Sequence, residues 1–130
     1  MDAKELRIGN LIYFKLFPNV PESFTIIEVN AVADTHISFV SEEDGEETYS
    51  IEDFQGIPLS EERLLKFGFQ YSDLKTIRNG YYLRVNNSDI AFYDDEVIYY
   101  LGQPFSQIKY VHQLQNFYHC LCGKELEFKK

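Results

Sequence analysis

Turn signals cut this chain into short pieces, and the pieces between them are rich in β-forming residues. Leu11-Ile12-Tyr13-Phe14-Lys15-Leu16-Phe17 ends at Pro18-Asn19, and Phe24-Thr25-Ile26-Ile27-Glu28-Val29-Asn30-Ala31-Val32 breaks at Asp34-Thr35. His36–Ser41 carries apolar residues at 37 and 39, the period of two expected of a half-buried strand. Asp44-Gly45 suits a two-residue hairpin turn, after which Thr48-Tyr49-Ser50-Ile51 returns. Sequential strands on short turns make an antiparallel meander, and one of this size tends to curl. Residues 8–56 are therefore expected to form an SH3-like barrel or a strongly bent sheet.

The second half repeats the strand pattern between two helical segments. Ser60 is placed to cap a short helix in which Glu61 and Glu62 oppose the positive end of the dipole and Gly68 supplies the stop. Leu64, Leu65 and Phe67 are its expected buried side. Leu74–Ile77, a turn at Asn79-Gly80, Tyr81–Val85, Ile90–Tyr93 and Val97–Leu101 read as a second meander. Ile108, Val111, Leu114, Phe117 or Tyr118, and Leu121 fall at helical spacing, which predicts a long C-terminal helix over 107–122 stopped by Gly123. Gln113, Gln115 and Asn116 lie away from that stripe, and Glu125–Phe128 alternates like a short final strand. The expected class is α+β, with a β-meander at 1–56 and an α+β part at 57–130 sharing one core.

At 130 residues, with 45% hydrophobic and 25% charged residues, the chain can build a core without disulfides or metals. No apolar run approaches the roughly 20 residues of a membrane helix, and the first residues contain no apolar signal-peptide core. A cytoplasmic location is expected.

Charge is concentrated. Of the net −9, the stretch Ser41–Asp53 holds −7: Glu42, Glu43, Asp44, Glu46, Glu47, Glu52 and Asp53, with no base. Such a field repels phosphate backbones, so direct nucleic-acid binding is not expected. It either solvates a hairpin tip or attracts a basic partner. Aromatics are the second concentration, with 11 Phe and 10 Tyr. Tyr81, Tyr82, Tyr93, Tyr99 and Tyr100 belong to one expected sheet, and neighbours in sequence point to opposite faces. Tyr82, Tyr93 and Tyr99, together with Glu42, Glu43, Asp44, Glu46 and Glu47, form the candidate interaction surface. The bland alternative for the tyrosines is packing between strands and under a helix.

Gly56-Ile57-Pro58-Leu59-Ser60-Glu61-Glu62-Arg63-Leu64-Leu65-Lys66-Phe67-Gly68-Phe69 and Ile108-Lys109-Tyr110-Val111-His112-Gln113-Leu114-Gln115-Asn116-Phe117-Tyr118, with Gly123-Lys124-Glu125-Leu126 and the opening Leu6–Ile12, are distinctive. On these segments the chain resembles a family of small uncharacterised proteins from gut-type bacteria and their phages. It departs from that pattern at His119-Cys120-Leu121-Cys122 and in the acidic stretch. The resemblance implies a cytoplasmic, phage-related protein and no mechanism.

No catalytic, metal or cofactor site is expected. His112 and His119 share a helix face, but Cys120 and Cys122 diverge from it, and metal binding needs three or four converging ligands. His119 and Cys120 point different ways, against a thiol–imidazole pair. The acids lie in turns, where water keeps them ionised, against general acid–base use. Setting Gly45 at the sixth position of a calcium loop puts Val40 first and Ile51 twelfth, which fails. The expected function is a non-catalytic interaction or adaptor domain for a protein partner, with its oligomeric state open. The alternatives are an acidic nucleic-acid mimic that inhibits a DNA-binding protein, and a small enzyme.

Overall fold

The computed structural model describes residues 1–15, 23–73 and 78–129. The expected turn at Pro18-Asn19 and the expected strand Leu74–Ile77 lie outside the described residues. The chain divides into two compact units, Met1–Ile57 with Tyr110–Asn116 and Pro58–Lys109 with Phe117–Lys130. Among the described residues no helix is long and apolar enough to cross a membrane.

The first unit contains β1 (Leu11–Lys15), β2 (Phe24–Glu28), β3 (Ala31–Val32), β4 (His36–Ser41), β5 (Gly45–Ser50) and β6 (Phe54–Gln55). All pairings are antiparallel, in two three-stranded sheets ordered β2-β1-β6 and β3-β4-β5. The expected barrel does not close. The run from Phe24 to Val32 serves both sheets and changes allegiance between consecutive residues. The Val29 amide donates to the Asn10 carbonyl at 2.8 Å, and the Asn30 amide donates to the Ser38 carbonyl at 2.8 Å. The run changes partner there: up to Val29 it follows β1, and from Asn30 it follows β4. Ile12, Phe14, Val29, Ile37, Phe39 and Phe54 form the buried cluster of this unit. Phe14 meets Phe39, Tyr49 and Phe54 at ring separations of 5.0, 4.6 and 5.2 Å.

The second unit contains α1 (Glu61–Lys66), then β7 (Gln70–Ser72), β8 (Gly80–Val85), β9 (Ser88–Phe92), β10 (Ile98–Tyr100) and β11 (Gln103–Phe105), a sheet ordered β11-β10-β9-β8-β7. Ser60 caps α1 as expected, its Oγ accepting the Arg63 amide at 3.3 Å. The helix closes with Phe69 donating to the Leu64 carbonyl and Gly68 to that of Leu65, around Gly68 at φ 96°. Leu64 and Phe67 are buried, but Leu65 is 51% exposed, since a helix this short offers the core only one narrow stripe.

The C-terminal helix α2 (Val111–Cys122) is 12 residues and not long. Residues 103–105 join the sheet as β11, and the Lys109 carbonyl accepts the Leu59 amide at 3.1 Å instead of a helical partner, so the helix does not start at 107. The signal for β11 is the left-handed pair Leu101-Gly102, with φ 52° and 77°, a hairpin turn between β10 and β11. Pro104 is tolerated because β11 is an edge strand. At the start of α2, the Tyr110 amide donates to Gln113 Oε1 at 3.0 Å, half of a capping box. Gln115 does not lie on a wet face: it is buried, and its Oε1 accepts the Leu11 amide at 2.8 Å while its Nε2 donates to the Gly9 carbonyl at 3.3 Å. Glu125–Phe128 is not a strand. Phe128 instead sets its ring 4.9 Å from Phe67, and Lys129 donates its amide to the Lys66 carbonyl.

Candidate functional site

The acidic stretch forms the β4–β5 hairpin. Ser41 pairs with Gly45, so the connection is the three residues Glu42-Glu43-Asp44 rather than the two-residue Asp44-Gly45 turn. Gly45 takes φ 73°, the left-handed position that ends a three-residue hairpin loop, and Ser41 Oγ accepts the Asp44 amide at 2.9 Å. Glu42, Glu43, Asp44 and Glu46 are exposed and Glu47 is half-buried. Glu46 accepts a hydrogen bond from Asn30 Nδ2 at 3.2 Å. Glu47 accepts one from the Tyr49 hydroxyl at 2.7 Å, which raises the Tyr49 pKa.

Five acids of the stretch border an open groove of about 740 Å³ in the first unit. Its lining includes Phe14, Phe39 and Tyr49 from the aromatic cluster, Ile26 and Val40 from β2 and β4, and Glu42, Glu43, Asp44, Glu47 and Asp53. Lys15 is the base on the lining. Ile26 is 42% exposed and Val40 63%. The groove follows from the change of partner at Val29-Asn30. Past Ser38, β4 runs on without β3 beside it, and β2 turns toward β1. The sequence contained the acids but not the recess, because no residue pattern announces where two sheets part.

Tyr82, Tyr93 and Tyr99 come together on the outer face of the second unit's sheet. The register sets Tyr82 and Tyr99 opposite Ala91, two residues before Tyr93. Tyr82 meets Tyr93 edge to face at 5.9 Å, and Tyr93 meets Tyr99 at 5.1 Å. Arg78 stacks 4.2 Å above the Tyr93 ring, and its Nη2 reaches Asp94 at 3.0 Å and Asp95 at 3.4 Å. The Tyr99 hydroxyl donates to Asp95 at 2.8 Å, which holds the Asp95 carboxyl below its ordinary range. The Tyr82 hydroxyl donates to the Arg78 carbonyl, and burial, then the Tyr93 phenol, pushes Tyr82 up to about 12. The Tyr82 and Tyr99 hydroxyls and the guanidinium thus have partners within this face, which is a packed aromatic layer. Tyr81 and Tyr100 belong to the opposite face. Tyr81 donates to Glu61 at 3.2 Å, and Tyr100 packs on Phe117 at 5.8 Å.

His112 was expected on the helix face and is fully buried. Its Nε2 lies 3.4 Å from Glu5 Oε2, while Nδ1 has no hydrogen-bond partner among the described residues. Burial lowers its pKa, with Glu5 pulling the other way. The ring stacks on Tyr110 and borders a recess of about 120 Å³ with Glu5, Phe54, Gln55 and Gly56. Cys120 and Cys122 are free thiols, and Cys122 Sγ donates to the Tyr118 carbonyl at 3.3 Å. Among the described residues no three His, Cys, Asp or Glu side chains gather as metal ligands.

No protein-family model matches the chain, no curated protein matches it, and no solved structure matches it.

Proposed function

We propose that this protein is a non-catalytic interaction domain whose first unit receives a basic segment of a protein partner. One observation carries the reading: among the described residues, a groove with an aromatic floor is bordered by five carboxylates and one lysine. A lysine or arginine side chain suits such a place, its aliphatic stem lying on Phe39 and Tyr49 and its head among Glu42, Glu43 and Glu47. Glu42, Glu43 and Asp44 are open to water, an arrangement that suits attraction of a cation better than the dry pocket acid–base chemistry needs. The tyrosine layer is second choice as a contact surface, because its polar groups already serve one another.

The test is a titration of two labelled peptides of equal length, one lysine-rich and one glutamate-rich, at low and high ionic strength. The lysine peptide should bind, weaken as salt rises, and lose at least tenfold in affinity when Glu42, Glu43 and Glu47 become Gln and Asp53 becomes Asn. Equal affinity for wild type and variant would overturn the reading. Binding restricted to intact DNA-binding proteins and competed by duplex DNA would replace it with nucleic-acid mimicry.

A further inference from the structure

We propose that the partner segment enters the groove as an extended strand, hydrogen-bonded along the open edge of β2. This rests on the reading of the groove as a site for a basic segment, and adds how that segment is held. The backbone alternation settles which groups are open. Val29 directs both its amide and its carbonyl at the β1 side, donating to Asn10 and accepting from Gly9. Along an antiparallel strand successive residues alternate in direction. Ile27 and Thr25 therefore also face β1, opposite Ile12 and Phe14, and the amides and carbonyls of Ile26 and Glu28 face away from it. Asn30 continues that second set, and its amide finds Ser38. Among the described residues β2 has β1 as its single neighbour in the sheet. On β4, pairing with β3 stops at Ser38, which leaves the same flank at Val40 open among the described residues.

The open edge and the groove coincide, since Thr25, Ile26 and Ile27 line one wall and Phe39, Val40 and Ser41 the other. A row of unpaired main-chain donors and acceptors is a template for another strand. Side chains on an added strand alternate in direction, so one set would meet Phe14, Phe39 and Tyr49 while the other reaches the carboxylates on the rim. The occupant is accordingly a segment in which basic and apolar residues alternate. Five residues of β2 span about 17 Å at the usual rise, so a peptide of about seven residues covers the edge with about one residue to spare at each end.

The wild-type protein is titrated with a capped peptide of about seven residues alternating Lys and Val, and with two versions N-methylated at every other amide, one at odd and one at even positions. N-methylation leaves charge and side chains in place and removes the donors along one edge. The unmodified peptide should bind, and at least one methylated version should bind at least tenfold more weakly. Both methylated versions binding within twofold of the parent would overturn strand addition while leaving the basic-segment reading intact. Failure of the unmodified peptide to bind, with the lysine-rich peptide bound, would also overturn it. Failure of every basic peptide would sink the underlying reading instead.

Discussion

A glutamine on the buried side of a helix has to find partners or leave the core. Gln115 stays because its amide group completes two backbone groups at the edge of β1, the Leu11 amide and the Gly9 carbonyl. Asn10 and Asn116 extend the same logic: Asn116 Oδ1 accepts from Asn10 Nδ2 at 2.8 Å and from Arg7 Nε at 3.1 Å. Gln115→Ala should cost about 1–3 kcal/mol, because the Leu11 amide is left without an acceptor. Urea unfolding checks it, and a loss under about 0.5 kcal/mol would mean water replaces the side chain. His112 makes a pH statement. Its folded pKa is lowered, so the unfolded chain takes up a proton first as pH falls. The stabilising effect of the neutral ring is complete above the ordinary histidine value of about 6.5, and it declines as pH drops from there toward the folded value. His112→Gln should flatten the slope of stability against pH in that window. Parallel wild-type and variant slopes between about pH 5 and 6.5 would count against it.

At the scale of elements, packing separates residues that look alike in sequence. Leu114 is fully buried, and Leu114→Ala should cost about 2–5 kcal/mol. Leu65, half in water on α1, should lose under about 0.5 kcal/mol on the same change. Gly80 opens β8 where a Cβ would stand 2.6 Å from the Tyr93 ring and 2.7 Å from the Phe92 carbonyl. Gly80→Ala should therefore destabilise by about 1–3 kcal/mol and disturb the near-ultraviolet signal of the tyrosine layer. These elements differ in how far the sequence announces them. The alternation in His36–Ser41 and the Ser60 cap are local signatures, and the structure places strand and helix start there. Phe54–Gln55 is too short to show a period, and β11 carries a proline that reads as a break. Asn30 looks like the continuation of a strand, and only its hydrogen bond to Ser38 reveals a corner. The acids of the candidate site were readable one by one. The aromatic floor and the open edge were not, because both arise from pairings between residues distant in sequence.

For the molecule as a whole, the uneven charge sets the response to its surroundings. Seven acids within 13 residues repel one another across the hairpin and its neighbourhood. Added salt should raise stability, and the variant lacking four groove acids should be less responsive to it, an effect readable as a shrinking difference in melting temperature as ionic strength rises. The same charge bears on the β2 edge in another way. A bare strand edge can recruit a second copy of its own chain as readily as a foreign one. Identical molecules each carry the acidic rim beside that edge, and their mutual repulsion acts as a gatekeeper against stacking. Near the isoelectric point of about 4.7 the repulsion fades while the edge remains. Light scattering should then rise at pH values where the fold still holds, and the four-acid variant should begin to aggregate at higher pH than the wild type.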